Sequence, residues 1–287
     1  MRIAALWIAS DMRAWLPYLH HARLLHLFPH ACTLWAADQR VVSLVTPEIG
    51  PGPFSMGVPP VAFTDQLTIS DPVYVTPGAL HIGPITIEFS AAASWNPCPD
   101  WSHVQQHSAQ AFVHIPLLRA VLQQHAPPNS LAALIVDLPP PSPLEAHMIQ
   151  TARQSWHTLR NGVLHGEFAA CRAGAVQLAG LGSGLTPAGD DWLVGCALAA
   201  HAHQPMAEVL LNAVHEAAAH TSALASAWIH AAVHGQCSRD WHTFLECLCQ
   251  PDETALVHAM RAILRHGHTS GADALAGYLA LTEMVAA

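Results

Sequence analysis

Short apolar stretches broken by Pro and Gly fill the first ~100 residues, and apolar residues recurring every three or four positions fill the rest. In the first part, Ile3–Ile8, Thr33–Ala37, Arg40–Val45, Val73–Thr76, Ala79–Ile82 and Ile85–Phe89 read as strands. Asp38-Gln39 and Gly83-Pro84 read as turns between neighbouring strands. Many short strands with frequent turns predict a small barrel or a curved sheet. A helical stretch follows from about Trp101 to Gln124, and Leu131–Val136 reads as one more strand. The run Pro139-Pro140-Pro141-Ser142-Pro143 marks the best boundary in the chain. Beyond it the pattern predicts helices over Leu144–Leu164, Glu167–Leu178, Pro187–Ala202, Ala207–His220, Ser222–His234, Asp240–Cys249, Asp252–His266 and Gly271–Ala286. The expected class is α+β: a β-rich, barrel-like N-terminal domain over residues 1–140 with a helical segment at its end, then an all-α domain over 144–287.

Composition narrows the functions open to such a chain. It is 52% hydrophobic and only 11% charged, yet its longest clean apolar run, Trp192–Ala200, is well short of the ~20 residues a bilayer needs. The apolar patch Ile3–Ala9 ends at Ser10 and Asp11 and lacks the layout of a signal peptide. The expectation is a cytoplasmic protein with no membrane contact, its low charge compensated by burial, partly at an interface with other subunits. All 11 basic residues are Arg, with no Lys. That excludes a pyridoxal Schiff base and a Walker A loop, both of which need a Lys amine. With a formal net charge of −9 and no basic stripe, nucleic acid is not an expected partner. The seven Cys are scattered and form no C-x-x-C, the pattern of reduced core thiols.

The most informative stretch runs from Gly180 to Gly195, Gly-Leu-Gly-Ser-Gly-Leu-Thr-Pro-Ala-Gly-Asp-Asp-Trp-Leu-Val-Gly. Gly180, Gly182 and Gly184 alternate in a loop that bulky residues could not follow. Thr186 reads as a helix N-cap and Pro187 as the first helical residue. Asp190 and Asp191 then fall in the first turns. The backbone N–H groups of Gly182, Ser183 and Gly184 suit an anion. The loop is not a Rossmann fingerprint, because the sixth position is Leu185, and it misplaces Ser183 by one residue for a nucleophile elbow.

The motif recurs. Gly189-Asp190-Asp191-Trp192-Leu193-Val194-Gly195 aligns without gaps on Gly271-Ala272-Asp273-Ala274-Leu275-Ala276-Gly277, both G-x-D-x-L-x-G. A Thr or Ser stands at a plausible cap before each: Thr186, and Thr269 or Ser270. Asp and the last Gly share a helical face in each copy. Two helix N-termini are therefore expected to converge and to aim Asp191 and Asp273 at one cavity. Three roles are open to these acids: capping a facing helix, acid/base catalysis, or holding a divalent cation such as Mg2+. The candidate catalytic residues are Asp190, Asp191, His268 and Asp273. The candidate anion-binding residues are Gly182, Ser183, Gly184, Thr186, Thr269 and Ser270. Asp191 and Asp273 are the candidate cation ligands. His266 and His268 precede the second copy and would enter the same cavity.

The chain holds 22 His, and the pairs His26/His30, His103/His107 and His230/His234 each lie four apart. So many His produce such pairs by chance, and none belongs to an H-E-x-x-H arrangement, so they read as structural or solvent-exposed.

The two glycine–aspartate motifs, from Gly182 and from Gly267, resemble those of the DUF2877 family, and Thr46-Pro47-Glu48-Ile49-Gly50-Pro51-Gly52-Pro53-Phe54-Ser55 looks like that family's third marker. The family includes the AllH-type subunit of the multi-subunit oxamate carbamoyltransferase of anaerobic allantoin degradation. The resemblance implies a subunit of an enzyme that exchanges a carbamoyl group between oxalurate and phosphate, giving oxamate and carbamoyl phosphate. It implies a small carboxylate and phosphate as ligands and other protein subunits as partners. The alternative is a non-catalytic anion-binding or scaffolding subunit of such a complex.

Overall fold

A computed structural model describes residues 1–139, 142–203 and 207–287. It divides into two compact units, the first comprising Met1–Pro97 with Cys237–Arg239 and the second the remainder.

The first unit holds β1 (Arg2–Ala4), β2 (Trp7–Ala9), α1 (Met12–Trp15), β3 (Arg23–Leu27), β4 (Ala31–Trp35), β5 (Val41–Val45), β6 (Ser55–Gly57), α2 (Phe63–Gln66), β7 (Val73–Thr76), β8 (Ala79–Ile82), β9 (Ile85–Glu88) and β10 (Ala93–Trp95). The strands form two sheets, ordered β1-β9-β8-β7 and β10-β2-β6-β5-β4-β3. The β-rich expectation holds, but not the barrel: two open sheets share one core that includes Ile8, Leu34, Leu44, Met56, Leu80 and Ile87. The physical reason lies at Ala5-Leu6. The Ala5 N–H donates to the Glu88 carbonyl in one sheet and the Leu6 N–H to the Gly57 carbonyl in the other. The expected single strand Ile3–Ile8 thus splits, and the chain crosses between sheets instead of closing one. The Thr46–Ser55 loop is a built element of this unit. Its Gly52 N–H donates to Ser55 Oγ at 2.7 Å, and its Pro51 carbonyl accepts from Arg239 N at 3.1 Å.

The second unit is helical: α3 (Trp101–Gln106), α4 (Ser108–Val113), α5 (Ile115–His125), α6 (Pro143–His165), α7 (Phe168–Leu178), α8 (Ala188–Ala202), α9 (Ala207–Ala217), α10 (Ala223–Val233), α11 (Arg239–Leu248), α12 (Glu253–Leu264) and α13 (Ser270–Ala286). The predicted helices are present, with the Trp101–Gln124 stretch divided at His107 and His114 into α3, α4 and α5. Leu131–Val136 is not a strand: Leu131–Leu134 is a 3-10 turn. In the expected boundary run, Pro140 and Pro141 lie outside the described residues, and Ser142 with Glu145 forms a capping box that starts α6. The compact units divide at Pro97/Cys98 rather than at that run. The cause is packing, because α3 contacts α8 while α5 contacts α12 and α13. Small residues let the helices approach closely: a Cβ on Gly162 would strike the backbone of Cys171. Among the described residues no helix is long and apolar enough to cross a membrane.

Candidate functional site

The centre of the second unit is the crossing of α8 and α13, and both are apolar on nearly every face. Helices hydrophobic all round belong in a core, so an acid placed on them is buried by construction. The duplicated motif sets how they cross. A Cβ on Gly195 would land on the Ala274 carbonyl, and a Cβ on Gly277 would land on the Trp192 carbonyl. Ala274 and Trp192 occupy the same position in the two copies. The contact is therefore reciprocal, related by a local pseudo-two-fold axis. The first glycines also correspond, because a Cβ on Gly189 would strike the Leu178 carbonyl at the end of α7 and one on Gly271 the Ile263 carbonyl of α12.

Asp191 and Asp273 sit one turn before these crossing glycines. Asp273 is fully buried and Asp191 is 9% exposed. Burial pushes the Asp273 carboxyl up to about 7, against the hydrogen bonds it accepts from the Leu131 N–H and the Thr269 hydroxyl. Burial, then repulsion from Asp273, holds Asp191 well above the usual carboxylate range, against hydroxyls of Ser270 and Thr186. Like charges in a low-dielectric interior cannot both ionise cheaply, so burial and proximity both favour the neutral form of the pair. Leu131 N donates to Asp273 Oδ1 at 2.6 Å, whereas Asp191 Oδ2 and Asp273 Oδ2 are buried without a partner among the described residues. Asp191 and Asp273, expected to face one cavity, lie near enough for the charge of Asp273 to act on Asp191.

Asp190 differs from its neighbour. Its Oδ1 accepts from Gly180 N at 3.0 Å and its Oδ2 from Thr221 Oγ1 at 2.6 Å. Burial raises its pKa while these bonds lower it. With both oxygens engaged, Asp190 pins the glycine loop to the turn before α10. Thr221 was not legible as its partner, since 31 residues separate them and no periodicity links them.

The loop bears out the reason for its glycines: φ is +73° at Gly180, +117° at Gly182 and +101° at Gly184. Every second residue is left-handed, a conformation that side chains with a Cβ resist. Gly182, Ser183 and Gly184 are exposed. Thr186 is not the N-cap. Pro187 takes that position in extended conformation, and its carbonyl accepts from Asp190 N and Asp191 N. The Thr186 hydroxyl is thereby free to meet Ser270 Oγ at 3.1 Å. Thr186, Thr269 and Ser270 thus turn their hydroxyls to the acid pair.

His268 is exposed, close enough to act electrostatically on Glu145, whose carboxyl is held below the usual range chiefly by Ser142 and less by Asn129. His266 does not join it: His266 Nε2 meets Asp240 Oδ2 at 2.7 Å. The site therefore includes residues the sequence did not nominate, namely Leu131, Glu145 and Thr221. Met148 also approaches, its Sδ lying 3.6 Å from where a Cβ on Gly182 would stand. Chemically, the arrangement offers an exposed glycine loop and two buried carboxyls that favour the neutral form, each with an unpartnered oxygen.

Residues 178–282 match the family model described as oxamate carbamoyltransferase subunit AllH. The match spans both copies of the motif and bears out the resemblance read from them; the Thr46–Ser55 marker lies outside it. No curated protein and no solved structure matches the chain.

Proposed function

We propose that this chain is a cytoplasmic subunit of an oxamate carbamoyltransferase-like enzyme, acting on a small carboxylate with phosphate. The observation that carries this reading is the Asp191/Asp273 pair: two buried, adjacent acids from a duplicated motif, each with an unpartnered oxygen, inside the span that matches the AllH family. Carbamoyl transfer from oxalurate to phosphate breaks a C–N bond whose nitrogen is a poor leaving group. In this reading the Gly182–Gly184 N–H groups and His268 hold the anionic ligand. A phosphate oxygen attacks the carbamoyl carbon, and the proton held by the acid pair passes to the departing oxamate nitrogen. The proton lost by phosphate returns to the pair, which closes the balance. A protonated pair also removes the repulsion that two carboxylates would exert on an anion. Thr186, Thr269 and Ser270 orient the acids, and Asp190 fixes the loop.

The two unpartnered oxygens also have the hard-donor chemistry that suits Mg2+. Asp191 and Asp273 would hold that ion, and it would supply charge neutralisation for phosphate.

The test is phosphate-dependent loss of oxalurate, measured with the purified chain alone and with its partner subunits. Activity that falls in Asp191→Asn and Asp273→Asn supports a catalytic subunit. Activity that needs partners and survives both substitutions identifies a non-catalytic anion-binding or scaffolding subunit instead. Calorimetric titration with Mg2+ and phosphate separates the cation role, because only a cation site loses Mg2+ binding in both variants.

A further inference from the structure

Away from the acid pair, the end of α11 brings three soft or borderline donors together. One nitrogen each of His103 and His107 and the Sγ of Cys249 all lie within 4.8 Å of one another. Both histidines are exposed, so an ion can reach the cluster from the solvent side. His103 is the third residue of α3, and His107 stands at the junction of α3 with α4. Cys249 is the first residue after α11. The approach of these segments is fixed by a third: the buried His114 joins its Nε2 to the Gln250 carbonyl at 2.8 Å, one residue past Cys249.

His107 is already oriented as a ligand. Its Nδ1 lies 2.9 Å from the His103 carbonyl, which can only accept, so Nδ1 is the donor there and Nε2 is the nitrogen left for a metal. A metal-binding imidazole characteristically donates its other N–H in this way. His103 also lines a neighbouring cavity of ≈ 400 Å³, together with Asp100, His242 and Glu246. A water can complete a tetrahedral set around these three donors.

We propose that His103, His107 and Cys249 bind a borderline divalent transition metal of the Zn2+ class, joining the α3–α4 junction to the end of α11. Thiolate with imidazole selects such ions over Mg2+ or Ca2+. On binding, the Cys249 S–H bond breaks, its proton leaves to solvent, and the Sγ–metal bond forms. The hydrogen bond that Cys249 Sγ now donates to the Leu245 carbonyl at 3.3 Å is given up.

The experiment uses the full chain without a histidine tag, stripped of metal by a chelator, with Co2+ as the probe. The other histidines can bind Co2+ weakly, so the readout is the thiolate-to-cobalt charge-transfer band, which only a cysteine ligand gives. The expected result is one Co2+ per chain with this band, and displacement by Zn2+. Cys249→Ser abolishes the band, whereas Cys247→Ser, two residues away, keeps it. His103→Gln and His107→Gln each weaken binding by about 100-fold. Both remain folded by circular dichroism, since both side chains are exposed. Absence of the band in the wild type, its survival in Cys249→Ser, or unchanged affinity in the two histidine variants would each overturn the assignment.

Discussion

The two copies of G-x-D-x-L-x-G share their glycines, their acid and their mutual contact, and differ in almost everything else. The first copy follows a loop of three left-handed glycines, whereas in the turn before the second only Gly267 is left-handed, at φ +61°. The first copy has Asp190 where the second has Ala272, and a buried Trp192 where the second has Ala274. What is duplicated builds the crossing and the acid pair. What is not duplicated is the left-handed glycine loop and the Asp190 that pins it. Duplication therefore separates the frame of the crossing from the loop that precedes only one copy, without reference to other sequences.

This division predicts a ranked set of effects. The glycines at the crossing come first. Gly195→Ala and Gly277→Ala each drive a methyl into a carbonyl on the partner helix, with no side chain to yield. Each should cost about 3 kcal/mol or prevent folding. Denaturant melts that show one substitution costly and the other neutral would break the pseudo-symmetry.

The acid pair comes next, and it predicts the sign of a pH dependence. Asp273 has its folded pKa raised from 3.8 to about 7, so between those values the unfolded state binds fewer protons than the folded one. Stability from this group is present at low pH and declines as pH rises from about 4 to about 7, by at most ~1.4 kcal/mol per unit. Asp273→Asn keeps an oxygen for the Leu131 N–H and should flatten the decline. Urea denaturation from pH 4 to pH 8 measures it. A wild-type slope of the opposite sign would sink the shared-proton account.

The unduplicated Asp190 follows. Asp190→Ala leaves the Gly180 N–H and Thr221 hydroxyl without their acceptor, for a loss of about 1–3 kcal/mol. In the proposed carbamoyl transfer, the loosened loop should raise the apparent KM for phosphate more than it lowers kcat, which steady-state kinetics would separate. The smallest effect belongs to the loop tip. Ser183→Ala on the exposed loop should change stability by under ~0.5 kcal/mol. Its phosphate affinity should hardly change if backbone N–H groups make the contact, and isothermal titration tests this.

Much of this was legible in the chain because helical periodicity and exact motif spacing are local signals. Gly195 and Gly277 pair across the crossing, and Asp191 and Asp273 meet, because aligned motifs on two apolar helices pack alike. Where long-range partners decide the outcome, the sequence was silent. Leu131–Val136 has a strand's composition, yet its first N–H goes to Asp273 and the segment becomes a 3-10 turn. Thr186 has a cap's chemistry, yet its hydroxyl turns to Ser270 and the acids. The apparent barrel failed at Ala5-Leu6, where successive N–H groups serve different sheets. His103 and His107 carry a pattern that chance also produces, and only the fold adds Cys249 to them.

The glycine crossing also has a mechanical consequence. A joint made of backbone on backbone has no rotamers to absorb a displacement, so it works as a fulcrum. Asp191 and Asp273 stand one turn out from it, like the short arms of two crossed levers. A tilt of either helix must then open or close the gap between the two carboxyls.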